Sequence, residues 1–135
     1  MARRWLLLLG SNLADDACLR EASAVLSAIG EVDALTPIRR FPSDDGSPGE
    51  YYNLLVSLAA DADREDIGER LKQLESALGR RRGHSQEVAI DIDILASASA
   101  SDSPWQADVH AVAKGEFARR SVRALLDETG IRGLA

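Results

Sequence analysis

The feature that most constrains this chain is an alternating stretch, EVAIDIDILA, at residues 87–96. Successive side chains of a β-strand point to opposite faces of the sheet. The isoleucines of this stretch therefore share one face, and Asp91 and Asp93 share the other. The pattern predicts a strand over residues 88–95 that packs its isoleucines under helices and presents two neighbouring carboxylates on its other face.

The two aspartates admit three interpretations. Their Cα atoms would lie about 6.5–7 Å apart on a strand, so both carboxylates can reach one hard cation or bracket two. They can equally be polar residues on an exposed sheet face, or a buried acid–base pair. The arginines at 80–82 fit either salt bridges with this pair or phosphate contacts opposite a metal that the pair holds.

Strand and helix patterns alternate along the rest of the chain. Strands are predicted at residues 5–9, 31–40 (interrupted by Pro37), 51–60 and 88–95. Apolar residues at helical spacing predict helices over 14–29, 61–78 and 115–128. Loops are predicted at 41–50, 80–86 and 97–103. The order β-α-β-β-α-β plus a C-terminal helix predicts an α+β, ferredoxin-like antiparallel sheet with helices on one face.

Length and charge narrow the class of protein. The chain has 135 residues, which suits a single domain over residues 1–135. The net charge of −6 argues against a nucleic-acid partner, because such proteins usually carry a basic excess. No stretch is apolar enough for a membrane span. The single cysteine, Cys18, is expected in the core of a cytoplasmic protein, which we expect to be a monomer.

Four segments carry a resemblance to a known family: LLLGSNL (7–13), YYNLLVSL (51–58), LESALGRRR (74–82) and IDIDIL (90–95). In this order and spacing the chain resembles the 6-hydroxymethyl-7,8-dihydropterin pyrophosphokinases of folate biosynthesis. The match covers residues 5–95 well and the tail loosely. The resemblance implies a ferredoxin-like fold and a Mg2+-dependent transfer of pyrophosphate from ATP to the hydroxymethyl group of a dihydropterin.

The resemblance also implies roles for the metal and pterin residues. Asp91 and Asp93 match the acid pair that binds two Mg2+ ions bridging the ATP phosphates. Asn53 matches an asparagine that hydrogen-bonds the pterin edge, and an amide offers both a donor and an acceptor for that purpose. Tyr51 matches an aromatic wall of the pterin slot, and Phe117 lies where the opposite wall is expected. Both aromatics can also be core residues.

On the nucleotide side, the resemblance implies three further residues. Glu75 matches a helix acid near the adenosine site. Arg80 and Arg82 match catalytic arginines of the loop that approaches the phosphates, and Arg82 is also expected to contact ATP.

The chain departs from the family pattern in its loops. The segment RRRGHSQEVAID (80–91) is about two residues short and lacks the family's tryptophan. The Pro-His motif after the acid strand is missing, with His110 near the expected histidine. These losses fall on the lid that closes over ATP. They leave two alternatives open: a pterin-binding or regulatory module without transferase activity, and an interaction domain that shares only the fold.

Overall fold

A computed structural model describes residues 3–12, 16–43, 49–82, 90–100 and 103–134, with the backbone alone at 79–82. The strands are β1 (Arg3–Ser11), β2 (Glu31–Ala34), β3 (Arg39–Pro42), β4 (Glu50–Ala60), β5 (Asp91–Ala98) and β6 (Gln106–Ala107). The helices are α1 (Ala17–Leu26), α2 (Arg64–Arg82), α3 (Val109–Ala113) and α4 (Arg120–Thr129), with a short 3-10 helix at Glu116–Ala118. The predicted α+β class is therefore confirmed.

The strands form one sheet in which every pairing is antiparallel. Its order is β2-β4-β1-β5-β6, and β3 pairs with β4 on the same edge as β2. The central strand β1 lies between β4 and β5. Residues 6–9 of β1 are four consecutive leucines, as expected of a strand that is covered on both of its faces.

Two apolar cores lie on opposite faces of the sheet. On the first face, α1 and α2 pack over alternate residues of β1, β4 and β5, including Leu7 and Ile92. On the second face, the 3-10 helix and α4 pack over the other set, including Leu8 and Leu55. The alternation of side chains along each strand thus divides the sheet's apolar residues between two helical layers.

The predicted sheet is wrong in two respects. Within the described residues, the observed sheet has six strands rather than four, and helices cover both of its faces rather than one. The physical reason is that Leu6, Leu8 and Leu55 form an apolar surface on the second face, which the C-terminal segment buries. The order βαββαβ describes the first part of the chain but misses β6. The strand predicted at 31–40 with an interruption at Pro37 forms two strands, β2 and β3.

Two predicted boundaries are also wrong. The single helix over 115–128 is two segments, because Gly115 has φ +75° and Arg119 is extended with ψ 138°. Helix α2 continues through Gly79 to Arg82, so the predicted loop at 80–86 begins as helix. Arginine is a good helix former, and one glycine in a helix costs only about 1 kcal/mol.

The structure also bears on the predictions for Cys18 and for residues 97–103. Cys18 is buried in the first core, as predicted. Strand β5 extends to Ala98, into the segment predicted as a loop at 97–103. Over the ranges given above, no helix is long and apolar enough to cross a membrane.

Because Leu8 is fully buried under the second helical layer, Leu8→Ala should lower the free energy of unfolding by about 2–5 kcal/mol. Val25→Ala is the matched control, since Val25 is 39% exposed, and its cost should stay below about 1 kcal/mol. Urea unfolding followed by circular dichroism measures both. Equal costs would contradict a buried second face.

Candidate active site

A row of three residues crosses the middle of the sheet. Gly10 on β1 pairs with Asn53 on β4 and with Asp91 on β5. Cross-strand partners share a face, so the amide and the carboxylate point to the same side, which is the side of the second core. The Cα atoms of Asn53 and Asp91 are separated by two strand spacings, or about 10 Å. The structure thus brings together two residues that lie far apart in the sequence.

Asn53 is buried, and one of the two polar atoms of its amide has a hydrogen-bond partner among the described residues. Its Nδ2 donates to the carbonyl oxygen of Leu9 at 3.3 Å, and the residue is 2% exposed. Its Oδ1 has no hydrogen-bond partner among the described residues. Since buried polar atoms are nearly always hydrogen-bonded, this acceptor suits a ligand that donates an N–H.

Gly10 provides the space for this amide. A Cβ atom at position 10 would lie 2.8 Å from Asn53 Nδ2, which is closer than Cβ atoms approach other heavy atoms. The glycine of the sequence GSN is therefore required by the packing of Asn53, whereas the sequence alone indicates only a turn at the end of β1.

A cavity of about 220 Å³ lies beside β5, between α2 and the segment from α3 to the 3-10 helix. Its acidic lining residues are Glu75, Asp91, Asp93, Asp108 and Glu116. Its basic lining residues, with one histidine, are Arg64, Lys72, His110 and Lys114. The carboxylates and the cations converge on one space, which is the arrangement expected of a site for metal-bound phosphates.

Glu75 joins α2 to the outer edge of β5. Its Oε2 accepts a hydrogen bond from the backbone N–H of Ile92 at 2.8 Å. Burial is the main cause that raises the pKa of Glu75 to about 7, and a hydrogen bond to Asp91 and the negative charge of that carboxylate add to it. Glu75 can therefore carry a proton at neutral pH and hydrogen-bond Asp91 when no cation is bound.

Asp93 is the most perturbed acid of the cavity. Burial raises its pKa to about 8, and the nearby carboxylates of Asp91 and Glu116 act in the same direction. Lys114 opposes this shift, with its Nζ 3.7 Å from Asp93 Oδ1. Carboxylates crowded together at this depth favour either a bound proton or a bound cation.

The carboxylates of this cavity suit a magnesium ion that is only partly coordinated by protein. Within the part of the chain that the structure describes, no three His, Cys, Asp or Glu side chains form a group that would hold a metal alone. Mg2+ commonly takes one or two protein carboxylates and completes its shell with water and phosphate oxygens. The pair Asp91 and Asp93 fits that donor set.

An ion pair closes the far end of the cavity. Arg64 at the start of α2 contacts Asp108 through two bonds, Nε–Oδ1 at 2.8 Å and Nη2–Oδ2 at 3.3 Å. Asp108 also caps α3 by accepting from the backbone N–H of Ala111. Although burial alone would raise the pKa of Asp108, the Arg64 contact holds it below its usual value. The pair ties α3 to α2 across the cavity.

Aromatic side chains line the same face of the sheet near Asn53. Tyr51 lies two residues before Asn53, so it points to the same side, and Phe41 is its cross-strand partner on β3. Phe117 is 8% exposed and packs in the second core, against which Phe41 also packs. Phe117 is thus a core residue, and a contact with substrate stays a prediction for both Tyr51 and Phe117.

The chain matches the model of a known protein family. The model of the family described as 7,8-dihydro-6-hydroxymethylpterin-pyrophosphokinase matches residues 6–122 of the 135-residue chain. The chain belongs to this family. A search of curated proteins finds none that matches. The resemblance identified from the four segments is confirmed, and the family match extends beyond residue 95 through the tail to α4.

In this member of the pyrophosphokinase family, some of the predicted site residues lie together, and others lie outside the described residues. The nucleotide-side acid Glu75 and the pair Asp91 and Asp93 line one cavity, as the prediction requires. The side chains of Arg80 and Arg82 lie outside the described residues, and so does most of the loop that follows them. Their roles therefore stay predictions.

Sequence reasoning missed several residues around the cavity of this family member. Lys114 and Glu116 flank a glycine directly before Phe117, so their closeness to a residue already placed in the site was an available signal. Arg64 and Asp108 gave no such signal, because an ion pair between residues 44 positions apart depends on the packing of α2 beside α3. His110, which lies near the histidine expected from the family pattern, is exposed and lines the cavity.

Gly10→Ala should displace the Asn53 amide and lower the free energy of unfolding by about 1–3 kcal/mol, because the added Cβ overpacks the site. The double variant Gly10→Ala/Asn53→Ala removes the opposing atom and should be more stable than the sum of the two single changes predicts. Urea unfolding of the four proteins completes the cycle. Strictly additive costs would show that the two positions do not contact each other.

Stability without metal should depend on pH through Asp93. Between its ordinary pKa of 3.8 and about 8, the folded protein holds more protons at this carboxyl than the unfolded chain. The free energy of unfolding therefore falls as the pH rises through this window. Asp93→Asn should make the decline shallower by up to about 1.4 kcal/mol per pH unit.

Urea unfolding in EDTA from pH 5 to pH 8 measures this dependence. Asp127→Asn is the control, since Asp127 is exposed on α4 and outside the cavity. An unchanged slope in Asp93→Asn would contradict a protonated Asp93.

Proposed function

We propose that this chain transfers pyrophosphate from ATP to the hydroxymethyl group of a 6-hydroxymethyl-dihydropterin, with Mg2+ bound to Asp91 and Asp93. The observation that carries the proposal is the row across β1. It sets the unpartnered Oδ1 of Asn53 and the carboxylate of Asp91 on one face, on residues whose Cα atoms lie two strand spacings apart, or about 10 Å. Family membership supports the same reaction.

The reaction requires positioning rather than a protein nucleophile. The hydroxyl oxygen of the pterin forms a bond to the β-phosphorus of ATP. The bond between that phosphorus and the oxygen bridging to the α-phosphorus breaks, and AMP leaves with that oxygen and its electron pair. The hydroxyl proton passes to solvent. The protein therefore has to hold the alcohol in line with this bond and neutralise the phosphate charge.

On the nucleotide side, Asp91 and Asp93 would hold two Mg2+ ions. When bound, Mg2+ supplies positive charge against the phosphate oxygens. Glu75, which is anchored to the Ile92 N–H, would lie toward the adenosine, and Arg80 and Arg82 would approach the phosphates. The cations of the cavity would add to this charge.

On the pterin side, Asn53 would read the edge of the ring. A pterin edge carries both N–H donors and acceptors, and the free Oδ1 of Asn53 fits such a donor. Tyr51 and Phe117 would contact the faces of the ring, since flat heterocycles stack on aromatic side chains. Phe41, the cross-strand partner of Tyr51, extends this aromatic surface.

The purified protein should form AMP from ATP only when Mg2+ and 6-hydroxymethyl-dihydropterin are both present. Asp91→Asn/Asp93→Asn should lower the rate roughly 100-fold or more, because the metal charge is lost at the transferred group. Asp127→Asn is the matched control and should retain the wild-type rate. Chromatographic quantification of AMP and of the pterin diphosphate measures both products.

Titration of the pterin separates the alternatives if no AMP forms. Pterin binding that Asn53→Ala weakens, together with absent nucleotide binding, would replace the proposed enzyme with a pterin-binding module. Absence of both kinds of binding would leave only the interaction domain.

A further inference from the structure

The cavity beside β5 is elongated, and a hydrogen bond anchors the chain at each of its ends. At one end, Glu75 of α2 accepts from the backbone N–H of Ile92. At the other end, the backbone N–H of Asp108 donates to the carbonyl oxygen of Leu95 at 2.8 Å. Arg64 of α2 contacts the Asp108 carboxylate there. Glu75 and Arg64 lie about three helical turns apart, so the cavity follows α2 over roughly 16 Å.

The chemical character of the lining changes along this axis. Beside Glu75 the lining is acidic, with Asp91 and Asp93 as the expected Mg2+ ligands. Between these acids and Arg64 the lining includes three buried apolar residues, which are Leu71, Ile94 and Ala111. A nucleotide has a matching polarity, with a charged phosphate chain at one end and a flat base at the other. With the phosphates at the acids, the base would lie toward Arg64.

A glycine in the interior of α2 shapes this end of the cavity. Gly68 follows Arg64 by one helical turn and also lines the cavity. A glycine inside a helix is less stable than an alanine, so its position calls for a packing reason. A Cβ atom at position 68 would lie 2.9 Å from Arg64 Nη1. The missing side chain therefore lets the guanidinium lie against α2 at the wall of the cavity.

The guanidinium of Arg64 is held in one plane. Its Nε and Nη2 donate to the two carboxylate oxygens of Asp108, at 2.8 and 3.3 Å. The Asp108 side chain is only 11% exposed, and its Oδ2 also accepts from the backbone N–H of Ala111. The Arg64 side chain is 39% exposed, so part of it is open to a ligand. The ion pair thus fixes a flat cation at this end of the cavity.

We propose that the guanidinium of Arg64 stacks on the base of the nucleotide, with Asp108 and Gly68 as the residues that position it. The inference rests on the proposed function and assigns the residue that holds the base. A guanidinium is planar and weakly hydrated, so it stacks on a flat ring while its edge stays bonded to a carboxylate. Stacking requires no particular edge of the base. It therefore distinguishes a nucleotide from a bare phosphate chain.

Two ligands that differ in the base test this role. Arg64→Met should weaken binding of a non-hydrolysable ATP analogue with Mg2+ about 10-fold, because the base loses its stacking partner. Binding of inorganic tripolyphosphate with Mg2+ should not change, since this ligand has no base. Arg64→Lys should recover little of the affinity for the analogue, because lysine retains the charge but not the plane. Calorimetry measures binding of both ligands.

Gly68→Ala tests the positioning of the guanidinium without removing it. The added Cβ displaces Nη1, so affinity for the analogue should fall, whereas the midpoint of thermal unfolding should stay the same or rise. In the Arg64→Met background the same change should have little further effect on affinity. Arg70→Met is the matched control, because Arg70 is also paired with an acid of α2 but lies outside the cavity. It should bind both ligands as the wild type does.

The outcomes separate this inference from the proposed function. Equal losses of affinity for both ligands in Arg64→Met would overturn the stacking role, because they indicate a structural ion pair. Unchanged affinity for the analogue in that variant would overturn it as well, and so would a wild type that binds tripolyphosphate as tightly as the analogue. A loss confined to the analogue supports stacking even in a protein that forms no AMP, and then only the proposed reaction fails. A wild type that binds neither ligand contradicts both.

Discussion

The structure depends on the central strand β1, which is hydrogen-bonded on both edges and buried on both faces. Its four leucines divide between two helical layers: Leu7 and Leu9 pack under the first layer, and Leu6 and Leu8 pack under the second. At the end of this run the leucines give way to Gly10. The apolar side chains of β1 end there. Asn53 of β4 and Asp91 of β5 flank Gly10, which has no side chain to fill the space between them. The apolar core and the candidate active site are thus built around successive segments of β1.

The helical layers have different roles around this strand. Helix α2 contributes Glu75, whose carboxylate accepts from a backbone N–H of β5 and fixes the acid strand from the first face. The α3 segment contributes Lys114 and Glu116 from the second face, and the ion pair of Arg64 with Asp108 ties the two layers together. The cavity exists because these layers meet at the outer edge of β5. Its charges therefore come from three separate stretches of the chain.

The sequence allowed prediction of the residues whose neighbours are local. Alternation placed Asp91 and Asp93 together on one face, and the family motifs marked Asn53 and Glu75 as candidate site residues. Prediction failed where long-range packing decides. A single helix was expected after residue 115, because the apolar spacing is helical, but the conformation of Gly115 and the extended Arg119 break it. The second helical layer was missed because leucines in β1 do not reveal which segment will cover them.

The pairing of β6 has a consequence for how the chain behaves beside other chains. Within the described residues, β6 pairs with only Ala96 and Ser97 of β5, next to the acidic stretch at Asp91 and Asp93. A bare strand edge is a template for a foreign strand. Here an approaching strand would meet crowded carboxylates and the Glu75 side chain already bonded to Ile92. The acids of the cavity therefore also disfavour pairing of this edge of β5 with a strand of another chain.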